Sequence, residues 1–176
     1  DATLPVYVLE GQGPGTTLAH DSGAEGHTKA TAAVTTHSHT VGSNAARLLF
    51  MEVFNGTNNT IPTSVTYAGI PLTLLAQHIP SWGSISFWYL VAPPIGANNV
   101  VVTFATSMIM VVQAYSFYNV NQTNPFGTAV GTTGNSTAPT VTVTTASGEI
   151  VMDACIVRAA SRTFTPGLNQ TEWLDD

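Results

Sequence analysis

At 176 residues, with ten acids against four bases and a formal charge of −6, the chain carries no basic stripe to neutralise phosphates, which excludes nucleic acid as a partner. No apolar run approaches the roughly 18 residues that span a bilayer as a helix, and a single cysteine, Cys155, excludes an intrachain disulfide. Apolar residues make up 44% and charged ones only 8%, so one all-β domain can bury its own core while Thr, Ser, Asn and Gly keep it soluble.

The chain opens with an extended apolar run, residues 4–9, set apart by the breaker-rich Gly11-Gln-Gly-Pro-Gly15. Residues 16–27 are polar and glycine-rich, and a Thr/Ala strand is expected over 28–41. Next, Leu48, Phe50 and Phe54 alternate with Leu49, Met51 and Val53, so both faces of that strand read as buried, apart from Glu52. Residues 64–67 and 72–75 flank a compact turn, Ala68-Gly-Ile-Pro71. Ile85, Phe87, Tyr89 and Val91 then share one face, with Ser84, Ser86, Trp88 and Leu90 on the other, until Pro93-Pro94 stops the strand. Two strands are expected over 100–104 and 109–118, then a polar loop to residue 137, a half-exposed strand over 140–144 and a last strand over 149–158. No stretch carries a 3.6-residue apolar period, so almost no helix is expected. About ten strands joined by short turns specify an all-β fold, a single antiparallel β-sandwich of jelly-roll or immunoglobulin-like type.

Sequons begin at Asn55, Asn58, Asn121, Asn135 and Asn169, which makes N-linked glycans candidate partners. His37 and His39, two apart on a strand, point the same way about 7 Å apart. They would hold a metal only with a third ligand from His20, His27, Asp21 or Glu25, and no zinc spacing is met. Exposed polar histidines and no cofactor are the expectation. Glu52, Glu149, Asp153 and Glu172 show no spacing that pairs them across a cleft. Glu52 and Asp153 are expected on solvated stretches or beside Arg47 or Arg158, and no nucleophile elbow, phosphate loop or dinucleotide fingerprint is present. The protein is therefore not expected to be an enzyme. Trp82, Trp88, Tyr89, Tyr115 and Tyr118 would form a sugar platform only if they shared a face, and Trp88 and Tyr89 do not; Trp82, in a turn beside Gly83, is the ring to follow. Cys155 reads as a buried, inert thiol.

Ser38-His-Thr-Val-Gly-Ser43, Arg47-Leu-Leu49, Ser64-Val-Thr-Tyr-Ala-Gly-Ile-Pro-Leu-Thr73, Trp88-Tyr-Leu-Val-Ala-Pro-Pro94, Val100-Val-Val-Thr-Phe104 and Asn124-Pro-Phe-Gly127 occur in that order. Over residues 37–172 the chain resembles a β-sandwich domain that recurs in secreted and cell-surface proteins of bacteria and archaea. The resemblance implies a fold and an extracellular, cell-surface location after removal of a signal peptide, and no activity. In that family the segment corresponding to Thr165-Pro-Gly-Leu-Asn-Gln-Thr-Glu172 is followed by one or two more strands, whereas here Trp173-Leu-Asp-Asp176 ends the sequence.

Two parts follow: an N-terminal donor strand and hinge, residues 1–12, and a β-sandwich, residues 13–176. The expected function is that of a structural subunit of an extracellular, pilus-like filament. Identical subunits would self-assemble by donor-strand complementation, as in surface fibres that serve adhesion and biofilm. Leu4, Val6, Tyr7, Val8 and Leu9 are the candidate interface, and alternation suggests Leu4, Val6 and Val8 as the anchoring row. The alternative for the segment is pairing within its own chain. The alternative for the protein is a monomeric secreted carbohydrate-binding or adhesion module, or a viral coat protein.

Overall fold

The computed structural model describes residues 2–13, 16–21, 26–80, 82–127, 129–134, 140–157, 165–168 and 170–173. Among them there is no helix, and the strands lie in two antiparallel sheets. In chain order they are β1 (Ala2–Leu9), β2 (Ala19–His20), β3 (Gly26–Val41), β4 (Leu48–Asn55), β5 (Ser64–Tyr67) and β6 (Ile70–Pro71). There follow β7 (Thr73–His78), β8 (Ser84–Val91), β9 (Gly96–Tyr118), β10 (Val130–Gly134), β11 (Ile150–Asp153) and β12 (Ile156–Val157). The large sheet is ordered β6-β5-β9-β4-β8-β7, with β2 and β3 also on β9; the small one is β10-β1-β11, with β12 on β1.

β9 is one continuous strand where the sequence suggested two. Ala32 faces Met108 and Val34 faces Thr103, so residues 104–107 lie opposite Ala33 alone. This bulge bends β3 and β9 together without breaking them. One half of β9 pairs with β5, as in Val65↔Val102, and the other with β4, as in Met51↔Ala114. Val100, Val102 and Phe104 thereby meet Met108, Met110 and Val112 across a shared interior with Leu49, Met51, Val53, Val65, Tyr67 and Trp88. The large sheet curls nearly closed, like a barrel, around this first core.

The turn between β5 and β6 is tighter than expected. Ala68 and Gly69 both take left-handed backbone, with φ 51 and 78, which is the geometry of a two-residue hairpin whose twist matches its strands. β6 ends at Pro71, and β7 then joins β8 at the far edge of the sheet.

β4 and β8 are buried on both faces, as their alternation predicts. Leu49, Met51 and Trp88 point into the first core, while Leu48, Phe50, Ile85 and Phe87 point into a second one beneath the small sheet. Two expectations fail at the chain's other end. Residues 140–146 join no strand, and β10, β11 and β12 occupy both edges of β1. The expected strand over 149–158 breaks at Ala154 and Cys155, beside Pro5, which has no N–H to offer; Ala154 instead donates to the Pro5 carbonyl at 3.2 Å. Residue 158 lies outside the described residues.

Candidate functional site

The feature that stands apart from the domain's own curl is the seat of β1. Here the N-terminal strand pairs within its own chain, with Ala2↔Gly134 through Val6↔Val130 on one edge and Val6↔Asp153 through Leu9↔Ile150 on the other. Past β10 the first edge is continued by loop backbone: Gly127 N–H donates to the Val8 carbonyl at 2.9 Å, and Glu10 N–H to the Pro125 carbonyl at 3.0 Å. Gln12 N–H reaches the Asn119 carbonyl at 3.0 Å, and Gly13 then turns the chain away with φ 122, a conformation that favours glycine.

Tyr7 and Leu9 are the side chains that enter the second core. The Tyr7 ring lies 4.7 Å from that of Phe87 and 6.3 Å from that of Phe50, and Leu9 is fully buried. Val6 and Val8 are buried too but lie outside this cluster, so the row reaching the aromatic core is not the one that alternation suggested. The Leu4 side chain lies outside the described residues, although its backbone pairs with Thr132.

Beneath β1 sits an acid. Glu52 occupies the same face of β4 as Phe50 and is flanked in register by Phe87 and Gln113. Only 9% of it is exposed, which corrects the expectation of a solvated carboxylate. Burial, and then the charge of Asp153, push its pKa up to about 8, so it holds a proton at neutral pH. Burial and then Glu52 push the Tyr7 hydroxyl up to about 12. Arg47 is not Glu52's partner, since its guanidinium donates to the carbonyls of Pro93 and Asn44. Sequence reasoning missed this convergence, and the available signal was an acid in a strand whose faces are otherwise apolar. A second acid pair, also unforeseen, lies where β1 ends. The Glu10 carboxyl is raised by burial, by the charge of Glu149 and by a hydrogen bond with it. Glu172 is exposed.

The other candidates are placed as follows. His37 and His39 do share a face of β3, but that face is inward, and both are buried rather than exposed. His37 Nδ1 lies 3.0 Å from Thr28 Oγ1, and burial, then His27, lower its pKa. His39 meets Tyr67 edge-on at 6.2 Å. Among the described residues no three His, Cys, Asp or Glu side chains gather closely enough to hold a metal.

Asn55 is fully buried, and its Nδ2 donates to the carbonyls of Asn58 and Thr60 and to Asn58 Oδ1, at 3.0 to 3.1 Å. A glycan there requires this loop to open. Asn58 is half-buried with its Oδ1 accepting from Thr60. Asn121 is half-buried, its Oδ1 accepting from the N–H groups of Thr123 and Asn124 at 3.0 Å. Asn135 and Asn169 lie outside the described residues.

The aromatic candidates scatter. Trp88 is in the first core, Tyr115 in the second, and Trp82 and Tyr89 pack half-buried against the second; Tyr118 is half-buried at the end of β9. Cys155 is half-buried, and burial, then Asp153, raise its thiol pKa. No helix among the described residues is long and apolar enough to cross a membrane. No family model, curated protein or solved structure matches the chain.

Proposed function

We propose that the protein is the structural subunit of an extracellular, cell-surface filament, a sandwich-type domain that polymerises when β1 leaves its own seat and fills that of the next subunit. The observation that carries this is the isolation of β1. It is the central strand of a sheet whose other members all come from residues 125–157, and a glycine immediately follows the bonds that pin it. Exchange then replaces each contact by an identical one from a second copy, so it loses no bond. Donor and acceptor surfaces differ, so the contact is heterologous and propagates unless a ring closes. Burying Tyr7 and Leu9 is worth roughly 1.5–3 kcal/mol each, which holds the joint once formed. The low charge and the sequons support an extracellular setting, with glycans at the accessible sites.

Val8 and Val151 sit directly opposite each other on β1 and β11, at the Cα spacing that a disulfide tolerates. In a Cys155→Ser background, Val8→Cys with Val151→Cys should oxidise into a ladder of covalent multimers on non-reducing denaturing electrophoresis of assembled material. A monomeric band alone would show that β1 stays at home. That outcome favours a monomeric carbohydrate-binding or adhesion module, or a coat protein.

A further inference from the structure

We propose that Glu52, the carboxyl buried between β1 and its seat, forms a proton-controlled latch that sets how fast β1 can exchange. This rests on the subunit reading above and adds its regulation. Two acid pairs lie along the path β1 must leave. Glu52 is under the middle of the strand, with the charge of Asp153 on β11 acting on it, and Glu10 is hydrogen-bonded to Glu149 at the strand's end.

The groups around Glu52 make the point element by element. β1 presents Tyr7, whose hydroxyl stays protonated; β8 presents Phe87, and β9 presents Gln113, neither of which titrates. β11 turns Met152, opposite Tyr7, into this core, while Asp153 is exposed on the other face, from where its like charge still acts on Glu52. Further along the same row, β3 carries His27 opposite Gln113 and Lys29 opposite Val111, both at exposed positions. A proton is therefore the cheapest way to neutralise Glu52 while β1 covers it.

Opening the seat exposes the carboxyl to water and returns it from about 8 towards its ordinary value of 4.5. The closed state thus binds one proton more than the open state across that window. Its advantage is whole below about pH 4.5 and falls as pH rises to about 8, above which it stays level. One proton changes the open fraction by at most about tenfold per pH unit. A seat filled by a neighbour's β1 covers Glu52 in the same way. Acid therefore fixes chains in whichever state they occupy, closed or assembled, and alkali lets strands trade places. Glu10, nearer the surface, adds in the same direction with a weaker, screened contribution.

The test is uptake of a rhodamine-labelled synthetic peptide of residues 1–12 by the full chain, followed by anisotropy from pH 5 to 9. The rate should climb on the order of a hundredfold between pH 5 and 8 and then level. Glu52→Gln, which carries no charge at any pH, should be slow and nearly flat throughout. Asp153→Asn, a milder change that removes a charge raising Glu52, should make the climb smaller and end it at lower pH. A flat profile in the unaltered protein, or the same climb in Glu52→Gln, would overturn the latch. Uptake that follows pH in a chain that never polymerises would leave the latch standing and remove the filament. Polymerisation with flat uptake would do the reverse.

Discussion

Deleting residues 1–12 should abolish filaments and leave the large sheet with a bare aromatic face, and a synthetic peptide of those residues should cover it again without restoring polymers. Tyr7, Leu9, Val6 and Val8 are each no more than 6% exposed. At roughly 1.5–3 kcal/mol per side chain their burial is gross stabilisation on the order of 6–12 kcal/mol, an upper figure because unfolded chains are not fully extended. That is as large as the net stability of a typical domain. The truncated chain should bind a hydrophobic dye strongly, melt early and regain its melting temperature with peptide. Negative-stain microscopy then separates the two roles of β1. Filaments from the truncated chain would show that some other surface joins the subunits.

The second large effect is expected at Phe50. It is fully buried on the face of β4 under β1, with ring centroids 6.3 Å from Tyr7, 6.0 Å from Phe87 and 6.0 Å from Phe126. Phe50→Ala removes a ring that both the small sheet and the loop carrying Phe126 rest upon, so the neighbours cannot close the space cheaply. A loss of about 3–5 kcal/mol is expected by urea denaturation, as for other large-to-small core changes. Phe54→Ala, on the same face but only half-buried, should cost distinctly less. Equal losses at the two positions would mean that the second core is not centred on Phe50.

What could be read from the sequence was whatever period two controls. The two buried faces of β4, and the split of β8 between Phe87 and Trp88, follow from alternation alone. A turn after Tyr67 follows from turn chemistry, though its two-residue length and its pairing with Ile70–Pro71 do not. What escaped depends on partners far away in the chain. Nothing local distinguishes Thr140 to Thr144 from a strand, yet it joins none. Residues 105–107 look like a break because Ala, Thr and Ser are small or polar, yet β3 bends with them and keeps the strand whole. At the candidate site, the choice between Tyr7 and Val6 as the inward residue is a one-residue matter of register that composition cannot settle. Polar residues are usually exposed, whereas the curl of the large sheet and the cover of the small one put Glu52, His37 and His39 inside.

β9 also has a consequence in time. β2, β3, β4 and β5 all lie on it, so none of the strands made before residue 68 can complete its pairing until residues 96–118 have been synthesised. Such long-range closure is slow, typically milliseconds to seconds. β1 waits longer still, because its partners begin only at residue 125. Pulse-labelled hydrogen exchange during refolding should find the amides of β4 and β9 protected before those of β1, and simultaneous protection would refute that order. β1, made before the other strands described, is the last of them to be claimed. For the interval between, it is open to whichever chain lies nearest.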